Sequence, residues 1–300
     1  MKLRIRYRPS CWALGLLLGL FSSLASALEV VTTTTSLGML AREIGNDRVT
    51  VTTLGPPDRD IHYLQAKPSM ILALRRADLL VLVGADLEVG WLPAALGSST
   101  NGAIQPGSAG HFEAAAHTSL IGQSSADRSL GDVHPQGNPH FGLDPVRMAD
   151  IAMALAQRMG ALDKANADFY SNNARQLAAS LQQLSEQLQT LTVGAPGALL
   201  MHKSADYLMA RLQIPVLGYM EPVPGIPPTA AHIRTLSETL KGKQGVIIHA
   251  PYHQDQAARS LATALNWARF VLPIEPPRQA RFMEYKALML RWAEALNPST

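Results

Sequence analysis

A single cysteine, Cys11, occurs among 300 residues, so no intramolecular disulfide can form and no site can rest on several thiolates. Aromatic residues make up only 6% of the chain and charged residues only 16%. That composition excludes an acidic or basic tail protein, a collagen and a disulfide-stapled miniprotein. The phosphate-cradling GxxxxGK[ST], the dinucleotide GxGxxG, the zincin HExxH and the hydrolase GxSxG are all missing, which removes the common nucleotide and hydrolase signatures. What the chain has is apolar content. At 47% hydrophobic residues over this length it can bury one or two domain cores.

The net charge of +3 suggests a basic protein until its position is noticed. Lys2, Arg4, Arg6 and Arg8 precede an apolar run from Cys11 to Leu24, which ends in Ala25-Ser26-Ala27. A basic start, a short apolar stretch and an Ala-x-Ala site predict a secretory signal peptide over residues 1–27, cleaved after Ala27. The run is shorter than the roughly 20 residues a membrane span needs. Cys11 lies too early to accept a lipid at the cleavage site, so the mature chain is expected to be periplasmic and not lipid-anchored. Of 26 basic and 23 acidic residues, four basic ones leave with the leader, and the net charge becomes −1. Nothing electrostatic then favours nucleic acid. All nine histidines stay in the mature part.

Strand and helix signals alternate from Leu28 on. Glu29–Thr34 and Val49–Leu54 are rich in β-branched residues, and Leu79–Val83 is a continuous apolar run typical of a buried parallel strand. Ser36 is placed to cap a helix ending at Gly45, and Pro68-Ser69 opens a helix through Arg76. Residues 97–138 shift to Gly, Ser, Asn, Gln and Pro, and read as a long polar loop with a short strand near Ala103–Gln105. From Pro145 to about Leu191 apolar residues recur at helical spacing, with a break expected at Gly160–Asp163. At 1.5 Å per residue this stretch is long enough to cross the molecule. About three heptads are too few to favour a coiled coil. Strands are expected again at Ala198–Met201, Val216–Tyr219, Gly245–Ile248 and Phe270–Ile274, with helices from Ser204, Ala230, Gln254 and Arg281. The expected fold is two α/β lobes with parallel sheets, residues 28–144 and 193–300, joined by a long spanning helix over 145–192.

Three histidines fall where α/β proteins place ligands, just beyond strands or in the loops there. His62 lies in PPDRDIHYLQAKPSM, His140 in GNPHFGLDP, and His202 closes ALLMH. One such histidine is ordinarily a core or surface residue. Three at element boundaries of a cysteine-free chain could supply neutral imidazoles to a metal. Their separations of 78 and 62 residues match no local ligand motif, so convergence depends on the fold.

These segments resemble the metal-binding subunits of ABC importers for zinc and manganese, the cluster A-I solute-binding proteins. The resemblance rests on Asp60–Ser69 with His62, Tyr63 and Pro68-Ser69; on Asn138-Pro139-His140 followed by Leu143-Asp144-Pro145; and on Met201-His202-Lys203-Ser204 followed by GYMEPVPGIPP. Asn138 departs from the Asp-Pro-His usual in the family. By this resemblance the fold is two lobes with a linking helix, and His62, His140 and His202 are metal ligands in the inter-lobe cleft. A histidine at the third position suits zinc, and imidazole favours zinc over the harder manganese. The family often takes its fourth ligand from an acidic residue late in the second lobe. Here Glu275 in FVLPIEPPRQ is the candidate, with Asp60, His249 or water as alternatives. Pro251 argues against a helical pair of His249 and His253. His111, His117 and His134 are scattered along the polar loop and read as ordinary surface histidines rather than a metal-collecting stretch. His232 reads as a cap or surface residue.

The expected function is therefore capture of Zn²⁺, as transported ligand rather than catalytic cofactor, by a monomeric periplasmic protein and its delivery to an ABC permease in the inner membrane. An exported zinc-dependent hydrolase is the rival, because three histidines and an open position also describe a catalytic zinc. An importer subunit for manganese or for a metal chelate is the third reading.

Overall fold

The computed structural model describes residues 27–125 and 131–298, so the expected leader, residues 1–26, and its cleavage lie outside the described residues. The first lobe is built on four parallel strands, β1 (Leu28–Thr32), β2 (Val49–Thr53), β3 (Leu79–Leu82) and β4 (His111–Glu113), ordered β2-β1-β3-β4. The second repeats the plan with β5 (Ala198–Leu200), β6 (Val216–Tyr219), β7 (Val246–His249) and β8 (Ala268–Val271), ordered β6-β5-β7-β8. In both sheets the chain leaves the first strand to one side and returns on the other. That reversal opens a crevice at the carboxyl ends of the central strands, where ligands bind in α/β folds.

Helices α1 (Thr35–Gly45), α2 (Pro68–Arg76) and α3 (Leu92–Ser99) pack on the first sheet, and α6 (Asp206–Leu212), α7 (Ala230–Leu240) and α8 (Gln256–Leu265) on the second. Between the lobes, α4 (Pro145–Leu162) and α5 (Ala167–Leu191) fold back on each other, and α5 links the lobes by touching α1 on one side and α6 and α9 (Phe282–Leu296) on the other. The break falls at Asp163, whose carboxylate accepts from Tyr170 Oη at 2.6 Å and Asn166 Nδ2 at 2.7 Å and so turns the chain. Leu177, Leu181, Leu184 and Leu188 of α5 are buried in one core that runs from β1 through α4 to α9. No helix among the described residues is long and apolar enough to cross a membrane.

Three local expectations need correction. The cap of α1 is Thr34, whose hydroxyl accepts from the Leu37 amide, because Ser36 is drawn to Glu275 instead. Residues 102–104 form a 3-10 turn, not a strand; the strand of that region is β4, eight residues later. Residues 97–99, expected as loop, end α3, whose mixed Ala, Gly and Ser sequence carries little periodicity.

Replacing Leu181, which is fully buried at the α4–α5 seam, with alanine leaves a cavity in the linking core. A loss of about 2–5 kcal/mol is expected, read as a lowered urea midpoint with an unchanged slope.

Candidate metal centre

Each of four histidines is set by a different local device. His62 sits in a 3-10 turn, Ile61–Tyr63, that Asp60 caps through the His62 amide (3.0 Å). The same Asp60 oxygen holds His62 Nδ1 at 2.7 Å. Trp91 Nε1 donates to Ile61 O at 2.9 Å and fixes the turn against the lobe. His140 immediately precedes the 3-10 turn Phe141–Leu143, anchored by the buried Phe141 and Leu143. Asn138, the departure from Asp, accepts the His140 amide through Oδ1 and donates from Nδ2 to Lys203 O at 2.9 Å. A carboxylate could not make the second bond, so the amide ties the His140 turn to the residue after His202. His202 leaves β5 into the turn Lys203–Ala205, and its Nδ1 lies 2.8 Å from Glu221 Oε2.

The fourth histidine is His134, which the sequence reading leaves on a loop surface. It is buried, with Nδ1 3.0 Å from Ala85 O. Ala85 and Asp86 have φ of 47° and 66°, a left-handed turn that alanine adopts only under constraint. The constraint is Glu88. Its buried carboxylate accepts from Val83 N (2.8 Å), Gly84 N (3.1 Å) and Thr33 Oγ1 (2.6 Å), closing the turn that aims the Ala85 carbonyl at the imidazole. Burial pushes the Glu88 carboxyl up, although these hydrogen bonds oppose it.

The four rings converge. His62 Nε2 lies 3.1 Å from His134 Nε2, and His202 Nε2 lies 3.1 Å from His140 Nε2. Ring centroids of His62 lie 5.0 Å from His140 and 5.8 Å from His202. Nitrogens of His62, His134 and His140 all fall within 4.8 Å of one another. Nitrogens bound 2.0–2.1 Å from a tetrahedral ion stand roughly 3.3 Å apart, so the spacing suits one small cation. The chemistry agrees. A carbonyl can only accept, so His134 Nδ1 carries its proton; the Asp60 carboxylate places one on His62 Nδ1 likewise. Both Nε2 atoms then present lone pairs to each other, and only a proton or a metal between them relieves that.

The remaining candidates separate cleanly. Glu275 borders the same cavity, but its oxygens accept from Ser36 N (2.7 Å), Ser36 Oγ (3.0 Å) and Thr35 Oγ1 (2.9 Å) at the start of α1. Asp60 acts through His62. Burial alone would raise its carboxyl, and the hydrogen bonds from His62 bring it below its ordinary value. His249 turns away: Nε2 faces Arg269 Nη1 at 3.0 Å and Nδ1 faces Ala250 O. His253 does line the cavity, with Nδ1 accepting from the Ala250 amide at 3.1 Å. His111 pairs with Glu113, His117 stacks on Phe112, and His232 bonds Tyr219 O from the start of α7. The signal for His134 was its place six residues before His140, in turn-forming sequence that lets both reach one point.

A family model described as ZnuA, zinc-uptake complex component A, periplasmic, matches residues 30–298. The chain belongs to this family. It is a substrate-binding protein of metal ABC importers and not an enzyme. Among curated relatives, the high-affinity zinc uptake system protein ZnuA of Yersinia pestis is 24% identical over 278 residues, covering 85% of each chain. The manganese ABC transporter substrate-binding lipoprotein PsaA of Streptococcus pneumoniae is 24% identical over 229 residues, covering 73% of this chain and 70% of its own. Among solved structures, the binding protein FpvC of Pseudomonas aeruginosa in complex with Mn²⁺ superposes with a TM-score of 0.77 at 23% identity, over 92% of this chain and all of that one (100%). The two-lobed architecture is thus common to proteins named for different metals.

Burial, reinforced by His202, His62, His134 and His253, holds the His140 imidazole well below its ordinary range. Burial likewise brings His253 down to about 4. A histidine with a depressed folded pKa binds fewer protons folded than unfolded, so its contribution is complete above the unfolded value near 6.5 and is lost as pH falls. Relative to His253→Asn, the metal-free protein is therefore expected to lose stability as pH falls from about 6.5 to about 4 and to level off below. Urea titrations of both proteins across that range measure it; a gap independent of pH would contradict it.

Proposed function

We propose that this protein captures Zn²⁺ outside the cytoplasm, after export by the cleaved leader over residues 1–27, and hands it to an ABC permease. The ion is held by Nε2 atoms of His62, His134, His140 and His202. The observation that carries this reading is the convergence of four imidazoles whose outer nitrogens at His62, His134 and His202 are engaged by Asp60, Ala85 O and Glu221. Four nitrogen donors suit zinc among the ions of the named relatives, whereas manganese prefers oxygen. Glu275 stays in its role at the start of α1, where its oxygens are already engaged.

The same geometry weighs against the two rivals. A hydrolytic zinc keeps an open position for water, which a fourth histidine fills. The cavity where His62, His140 and His202 meet measures about 40 Å³. That holds an ion with a water or two, not a chelate. Because ligation requires neutral imidazole, acid releases the ion, and the low proton affinity of His140 preserves binding into mildly acidic solution.

Calorimetric titration tests the donor set. Zinc is expected to bind more tightly than manganese, and alanine at any of the four histidines to weaken zinc binding by about tenfold or more. Glu275→Gln is expected to leave zinc affinity within about threefold, consistent with a group outside the ligand set. Full zinc affinity in a protein lacking all four histidines, or equal affinity for manganese, would overturn the assignment.

A further inference from the structure

His134 differs from the other three histidines in what supports it. His140 and His202 stand on turns that adjoin α4 and β5, and His62 on a turn tied to the first lobe by Asp60 and Trp91, whereas His134 arrives on segment 131–138, which belongs to neither sheet. Something must hold that segment across the cleft, and Asp132 touches both sides. Its carboxylate accepts from Tyr63 Oη at 2.6 Å, on the residue next to His62 in the first lobe. Its amide donates to Pro224 O at 2.8 Å in the second lobe. Asp132 is buried although Tyr63 is largely exposed, so the carboxylate is enclosed under the phenol rather than left in solvent.

Two glycines make the crossing possible. A Cβ on Gly131, at φ 132°, would strike Pro224 O, and one on Gly225, at φ 79°, would strike the Asp132 carboxylate and, at 2.8 Å, Tyr63 Oη. The backbones of the two segments are therefore in direct contact. Gly225 N in turn donates to Glu221 Oε2 at 2.9 Å, the oxygen that holds His202 Nδ1. The strap is thus joined to the supports of two other cluster histidines, one from each lobe.

We propose that Asp132 is a positioning residue for the cargo site: it pins segment 131–134 between Tyr63 and Pro224 so that His134 closes on the ion, and it thereby sets the rate of ion release. This rests on the reading of His134 as a ligand. With Asp132 unlatched, the ion keeps three nitrogens on rigid turns and loses the fourth intermittently. Such a site still captures zinc but lets it go faster.

Stopped-flow transfer of zinc from the loaded protein to a fluorescent chelator reads the release rate directly. Asp132→Ala is expected to speed release by about ten- to a hundredfold, the usual weight of a residue supporting a metal ligand. Asp132→Asn, which keeps an acceptor oxygen for Tyr63, should recover much of the loss, and Tyr63→Phe should speed release by a smaller factor. The discriminating measurement repeats these changes in a His134→Ala protein, where each should add nothing further. A general loosening of the fold would instead speed release equally in both backgrounds, and that result overturns the proposal. So does an unchanged rate in Asp132→Ala. If Asp132→Ala does not fold, Tyr63→Phe in the two backgrounds decides by the same criterion. Unchanged zinc affinity in His134→Ala alone would mean that the ligand reading itself fails. A weakened His134→Ala with an unaffected Asp132→Ala would remove only the strap.

Discussion

Lone pairs of neutral imidazoles repel when they face each other, and this molecule sets such lone pairs face to face. His62 and His134 each have the outer ring nitrogen committed as a donor, to Asp60 and to Ala85 O, so their Nε2 atoms meet at 3.1 Å where only a proton or a cation can bridge them. The elements that carry the two rings impose that contact. Much of the surrounding structure can be understood as that imposition: the Asp60-capped turn, the left-handed Ala85-Asp86 turn closed by Glu88, the Glu221 brace on His202. A preorganised donor set of this kind gains affinity because the ion need not order its own ligands.

The same logic explains how the lobes are joined. Segment 275–282 of the second lobe is fastened along α1 and β2 of the first. Glu275 accepts from Thr35 and Ser36, Arg278 donates to Thr53 O, Arg42 to Ala280 O, Arg281 to Arg42 O, and the Phe282 amide to Glu43. With α5 and α9 crossing behind the cleft, wide hinge opening would break many of these bonds at once. A carboxylate at the start of a helix also complements the dipole there. Glu275 therefore serves the scaffold that keeps the two halves of the site in register.

Much of this was legible in the sequence because it is local. Pro68 at the start of α2, the apolar run of β3 and the β-branched runs of β1 and β2 locate elements by propensity and period. His62, His140 and His202 stand out because each lies at or near the boundary of a readable element. What could not be read depends on partners far along the chain. Ser36 has the ordinary qualifications of a cap, but Glu275, 239 residues away, claims it and the cap passes to Thr34. His134 sits among Gly, Pro and Gln with no periodicity, and only its distant partners Ala85 and His62 reveal its burial. Sequence shows which residues are able to ligate, while the fold determines which are already engaged.

A shared architecture therefore says little about which ion is carried. Relatives named for zinc and for manganese match this chain at the same 24% identity, and a protein that shares its architecture was solved in complex with Mn²⁺. The two lobes supply a cleft of fixed width, and a few side chains at its centre decide the chemistry. Under the proposed donor set, a loop imidazole in place of a late carboxylate would change two properties together. It replaces an oxygen by a nitrogen, which shifts preference toward softer ions. It also moves one donor from a rigid lobe to a strap, which separates the tightness of capture from the speed of release. An importer's binding protein needs both, because an ion bound by four rigid donors would be held too well to hand over.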